Sequence, residues 1–336
     1  MKLNMKAWLN EQLNLEVKKP MPVLSFPSIQ LLNITVKELI SSSDMQAKGM
    51  KMIADRCDTG ASLSMMDLSV EAEAFGSQIK VADDEVPTVV GRLINCEEDV
   101  TQLKVPSVGA GRTGLYIEAI EKALTLIEDR PVFAGAIGPF SLAGRLMDMT
   151  EIMVNCYMEP DMVHATLQKT TEFITEYIKA FKAIGAHGIV IAEPAAGLLS
   201  PELIEEFSSV YVKKIVEEVQ DDNFIVIYHN CGNAIPLIHS ILSIGASAYH
   251  FGNAISMAEM IKLVPSDVII MGNVDPARQF RNGTPESIRE ETYNIMKDCC
   301  SHKNFIISSG CDVPPLASWD NINSFFQTVN DFYKNK

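Results

Sequence analysis

The chain has 336 residues, 47% of them apolar, enough to bury a large core in one or two α/β domains. Its net charge of −15 and pI near 4.9 argue against nucleic acid and anionic membranes as partners, since both select cationic surfaces. The start, MKLNMKAWLNEQLNLEVKKP, has no apolar run long enough for a signal peptide, and no later stretch could span a bilayer, so a cytoplasmic protein is expected.

After an N-terminal helical segment (1–20), short apolar runs alternate with longer amphipathic ones. Strands are predicted at 22–26, 61–67, 132–138, 188–193, 224–230, 247–252, 268–274 and 305–310. Helices are predicted at 44–56, 114–128, 160–184, 201–219, 233–243, 256–263, 285–300 and 318–333. Runs that are apolar throughout, rather than alternating, suit parallel strands covered on both faces. Eight strand–helix repeats predict a (β/α)8 barrel formed as a single domain over 1–336, although a doubly wound sheet shares the local pattern. The stretch 68–113 fits neither phase and reads as an insertion carrying helix and a small hairpin. Ser200-Pro201 and Thr284-Pro285 start helices with a capping hydroxyl before proline. The third helical positions hold Leu203 and Ser287, not Glu or Gln, so neither is expected to form a full capping box.

Chemistry-bearing residues recur at the predicted C-terminal ends of strands, where barrels carry their active sites. They are Asp67, Glu193, His229 and Cys231, Tyr249 and His250, Asn253, Asn273 and Asp275, and Cys311 with Asp312. His229 and Cys231 are two residues apart, so on a strand they share a face. Cys311 lies 80 residues beyond Cys231 and ends a run of the same form, FIISSGC. One imidazole and two thiolates suit zinc, and three protein ligands leave a coordination position open for chemistry. Glu193 can serve as a fourth ligand displaced by substrate, or as a partner that steadies His229. The seven cysteines, an odd number, fit reduced thiols and metal binding better than a disulfide framework; the vicinal pair Cys299 and Cys300 reads as packing. His187 and His239 read as structural, and Met65, Met66, Met147 and Met149 as core. The glycines of GAIGPF have the wrong spacing for a phosphate-binding fingerprint.

The segments YHNCGN, GNVDP, GTPE, GPFSLAGRLMD and SGCDVPP resemble the methylcobamide:coenzyme M methyltransferases, within the uroporphyrinogen decarboxylase superfamily. The resemblance runs from about residue 20 to the C-terminus. It implies a distorted (β/α)8 barrel with zinc bound by His229, Cys231 and Cys311, and Glu193 at the family's glutamate position. It further implies methyl transfer between a corrinoid, carried by a small corrinoid-binding protein, and a zinc-activated thiol such as coenzyme M. Asp67, Tyr249, Asn253, Asn273 and Asp275 are the candidate contacts to the corrinoid. The same barrel could instead take a methyl group from a methyl ether or methylamine. Uroporphyrinogen decarboxylation is the weaker expectation: where those enzymes carry an arginine-rich element, this chain has PVLSFPSIQLLN. A non-catalytic tetrapyrrole carrier would have no need of the three ligands.

Overall fold

The computed structural model describes residues 3–334. The chain is a curled parallel sheet wrapped in helices. Its strands are β1 (Ser62–Leu63), β4 (Val132–Ile137), β5 (Gly188–Ala192), β6 (Ile225–Asn230), β7 (Ala248–Phe251), β8 (Ile269–Val274) and β9 (Phe305–Ser309), in that spatial order. Between β1 and β4 lie the helices Val70–Ala74 and Glu97–Gln102 and an antiparallel hairpin, β2 (Gln78–Lys80) with β3 (Thr88–Val90).

The strand expected at 22–26 does not form a ladder. Pro20, Pro22 and Pro27 lack the N–H a central strand must donate. The extended segment around Met21 nevertheless fills the eighth place of the barrel. Pro20 O accepts from Gly60 N beside β1, and Met21 N donates to Ile307 O of β9, both at 3.0 Å. On the β9 side, Val23 N also donates to Ser309 Oγ at 3.0 Å. Side chains replace part of the missing ladder, and the ring closes.

The two-residue strand period divides the apolar residues between two cores. Val190, Ala192, Ile225, Ile227, Ala248 and Met271 fill the barrel interior; Ile189, Ile191, Val226, Tyr228, Tyr249 and Ile270 pack outward under the helices. The N-terminal helix Met5–Asn14 belongs to the inner core: Met5 and Trp8 are buried there, and Trp8 meets Phe133 edge-on at 5.8 Å. That helix is anchored by Met5 N donating to Asp222 O at 2.7 Å, in the turn before β6, so it plugs the end of the barrel opposite the strand C-termini.

The expected single cap at Thr284 proves to be a full capping box. Ser287 N donates to Thr284 Oγ1 at 3.2 Å and Thr284 N donates to Ser287 Oγ at 2.9 Å. A serine hydroxyl does here what a Glu or Gln side chain usually does. At Ser200 only one arm forms, Leu203 N donating to Ser200 Oγ at 3.3 Å. The expected helix 201–219 contains a π-helical segment, Glu205–Ser209, within it. No helix among the described residues is long and apolar enough to cross a membrane.

Because Trp8 seals the inner core, Trp8→Ala should lower the unfolding free energy by about 3 kcal/mol in urea denaturation. A loss under 1 kcal/mol would mean that the helix rests on the barrel without sealing it.

Candidate metal centre

Parallel pairing sets the site. In register, Ala192 of β5 pairs with His229 of β6, and His229 pairs with His250 of β7. His229 and His250 therefore share a parity with the inner-core residues Ile227 and Ala248 and project into the barrel mouth. Cys231, two residues on, keeps that face, and Cys311 follows β9. The candidate ligand atoms of His229, Cys231 and Cys311 all lie within 4.8 Å of one another. Close approach of the loops makes this possible: Gly252 packs so tightly that a Cβ on it would sit 2.5 Å from Cys231 Cα.

The imidazole is held from behind. His229 Nδ1 lies 2.7 Å from His250 Nδ1 and 3.2 Å from His250 O, while His250 Nε2 lies 2.8 Å from Ser308 Oγ. His229 and His250 are 4% and 2% exposed, so this contact is shielded from water. Burial, then the neighbouring His229, holds the His250 pKa well below the ordinary histidine value.

The two thiols shift each other in opposite directions. The Cys231 pKa is lowered to about 4, first by the hydrogen bond from Cys311 and, against the cost of burial, by His229. Cys311 is correspondingly raised, by that same hydrogen bond and by burial. One nitrogen and two sulfurs are the donor set a borderline-soft divalent ion requires, and binding would release the thiol protons. The residues fit zinc.

Glu193 is outside this group. It follows Ala192 by one residue and so takes the opposite parity, toward the helix Pro139–Met147. Its carboxylate accepts from Phe140 N at 2.8 Å, Ser141 N at 2.9 Å and Ser141 Oγ at 2.7 Å, capping that helix. Gly138 leaves room for it, since a Cβ there would stand 2.2 Å from the Glu193 side chain. Burial raises its pKa to about 7, partly offset by these hydrogen bonds.

The five candidate corrinoid contacts divide. Asn253, Asn273 and Asp275 line one cavity of about 530 Å³. Asn253 Nδ2 donates to Asp275 Oδ2 at 2.9 Å, and Asn273 Nδ2 donates to Gly252 O at 3.0 Å, steadying the loop that packs on Cys231. Tyr249 faces outward, its hydroxyl donating to Leu242 O at 3.2 Å. Asp67 accepts from Tyr116 OH at 2.7 Å and pairs with Arg112, which also bonds Glu73 at 2.6 Å.

Arg112, Glu73 and the buried Glu71 were not singled out from the sequence; all three lie in the stretch 68–113, where no strand or helix period marks them. Arg145, on the helix after β4, has no hydrogen bond or ion pair among the described residues, and burial lowers its pKa. The signal available for it was a lone cation in an otherwise apolar helix, LAGRLM.

The chain is a parallel barrel with a candidate nitrogen–sulfur donor set at its mouth. It belongs to the uroporphyrinogen decarboxylase (URO-D) family, whose model matches residues 26–332. It is 29% identical to a methylcobamide:CoM methyltransferase of Methanosarcina acetivorans over 79% of this chain and 78% of that one. It is also 27% identical to a uroporphyrinogen decarboxylase of Neisseria meningitidis serogroup C over 82% of this chain and 80% of that one. A methyltransferase structure from Methanosarcina mazei shares the fold, with a TM-score of 0.85 at 22% identity, over 99% of this chain and 98% of that one. Identity alone does not separate the two activities.

Glu71 gives the rim a pH signature. Burial raises its pKa from 4.5 to about 8, only partly opposed by the hydrogen bond from Ile137 N. The folded state therefore holds this proton more tightly than the unfolded chain. The resulting stabilisation is complete below about pH 4.5 and is lost as pH rises through 8. Glu71→Gln should remove a destabilising slope of at most about 1.4 kcal/mol per pH unit across that interval. Urea unfolding of both proteins from about pH 5 to pH 8 checks this; parallel profiles would contradict it.

Proposed function

We propose that the chain is a corrinoid-dependent methyltransferase. It would move a methyl group between methylcob(III)amide, carried on a small corrinoid-binding protein, and a small thiol, with zinc held by His229, Cys231 and Cys311. The observation that carries this reading is the convergence of those three donors from β6 and the end of β9. The relatives named methylcobamide:CoM methyltransferases support it. Zinc bound there would lower the pKa of the acceptor thiol, supplying a thiolate at neutral pH.

In the reaction the sulfur forms a bond to the methyl carbon as the Co–C bond breaks. The bonding pair stays with cobalt, giving cob(I)amide, and the thiol proton is released. The protein's residues have separate tasks in this scheme. His229, Cys231 and Cys311 hold the ion and leave a place for the acceptor. Glu193 braces β5 against the helix Pro139–Met147, so we assign it to the frame of the site. Asn253, Asn273 and Asp275 would meet the edge of the corrinoid, with Tyr249 and Asp67 fixing the elements behind them. Uroporphyrinogen decarboxylation would leave the His/Cys/Cys set without a task.

Arg145 extends the reading to the acceptor. A half-buried guanidinium without a counter-charge is costly to keep in a protein of net charge −15, where carboxylates are plentiful. An anionic group on the thiol, such as the sulfonate of coenzyme M, would supply the missing acceptor.

Protein purified without added metal should contain about one zinc per chain. Cys231→Ala should lose the metal and slow the thiol-dependent bleaching of methylcobalamin by about 10³-fold, the equivalent of several kcal/mol of barrier. Full activity without metal would end the proposal. Arg145→Gln should raise KM for 2-mercaptoethanesulfonate roughly 10- to 100-fold while sparing 2-mercaptoethanol. An equal effect on both thiols would remove Arg145 from acceptor recognition.

A further inference from the structure

The hydrogen bonds behind His229 define where its protons are. Met21 O can only accept, and Ser308 Oγ donates to it at 2.8 Å. A hydroxyl has one proton to give, so Ser308 Oγ must accept from His250, whose Nε2 lies 2.8 Å away. His250 Nε2 therefore donates to Ser308, and His229 Nδ1 also faces the His250 carbonyl, which can only accept, at 3.2 Å. A proton must still lie between the two Nδ1 atoms that meet at 2.7 Å, because two bare lone pairs would repel there. Only His229 can supply it.

We propose that His250 and Ser308 are positioning residues that lock His229 in its Nδ1–H tautomer, aiming the Nε2 lone pair at the metal. A metal-bound histidine commonly gives its second N–H to a carboxylate, a backbone carbonyl or water. Here the nearer acceptor is the ring of a second histidine, at 2.7 Å, with that residue's own carbonyl at 3.2 Å. The chain of donors ends on the carbonyl of Met21, in the segment that fills the eighth place of the barrel. Barrel closure and ligand orientation are thus one hydrogen-bonded unit. This inference rests on the metal reading above, but its test does not use methyl transfer.

The experiment measures zinc affinity, by competition with a chromogenic chelator, together with ring-nitrogen NMR of the zinc-loaded protein. His250→Phe fills the space but removes the ring acceptor at 2.7 Å, leaving only the carbonyl at 3.2 Å, and should weaken zinc binding 10- to 100-fold. His250→Asn keeps an oxygen near the Nδ1 position and should recover most of that loss. Ser308→Ala frees the His250 tautomer and should fall between the two. In the wild type, His229 should show a protonated Nδ1 and a metal-bound Nε2. Thermal unfolding identifies any variant that merely fails to fold, and the ring-nitrogen spectrum of the wild type is decisive in that event. Zinc on Nδ1 of His229, or unchanged affinity in folded His250→Phe, would overturn the inference while leaving the metal centre standing. A wild type that takes up no zinc would overturn both.

Discussion

The contact between His229 and His250 depends on the register of two parallel strands. Pairing His229 with His250 across β6 and β7 puts the rings side by side, with centroids 4.7 Å apart. Moving either strand by one residue would turn its histidine out into the helix layer, beside Tyr228 or Tyr249. The apolar inner core beneath is what forbids that slip. Ile227 and Ala248 must stay inside for the barrel to be filled, and the site inherits its geometry from their burial. Two-residue parity thus makes hydrophobic packing the agent that aligns the candidate ligands.

The same rule explains what could be read from the sequence. His229 and Cys231 were legible because a two-residue spacing on a strand fixes a shared face without knowledge of the fold. Cys311 was legible because its run repeats the form of theirs. Glu193 illustrates the limit. Its position at a strand end was correctly read, but Val190 and Ala192 face inward, and parity turns Glu193 to the other side. Counting from the interior residues, rather than from the strand end, carries that information. Tyr249 has the same parity problem. The prolines around residue 22 were visible too, and they rule out a ladder while permitting the extended segment that closes the ring. The helices and hairpin of 68–113 were legible, but their long-range pairing was not: Arg112 meets Asp67 across 45 residues through a fold that no local period specifies.

The mouth differs chemically from the base. Below, Met5, Trp8 and Phe133 make a dry seal; above, buried carboxylates gather, and burial raises Glu71 and Asp312 to about 8 and Glu193 to about 7. Each carboxylate is held by backbone N–H groups: Glu71 by Ile137, Asp312 by Met66, Glu193 by Phe140 and Ser141. These bonds tie the loops leaving β1, β4, β5 and β9 to one another. An acid held close to its neutral form can accept such bonds with a smaller desolvation cost than a full carboxylate.

That arrangement bears on the metal centre. Carboxylates free to turn toward the three donors would attract hard cations. Acids tied to backbone N–H groups of neighbouring loops leave Cys231, Cys311 and His229 as the donors that converge. On the proposed metal reading, a preference for a softer ion would follow from what the rest of the rim withholds as well as from the three candidate donors. It would be secured by the same loop-to-loop hydrogen bonds that shape the mouth.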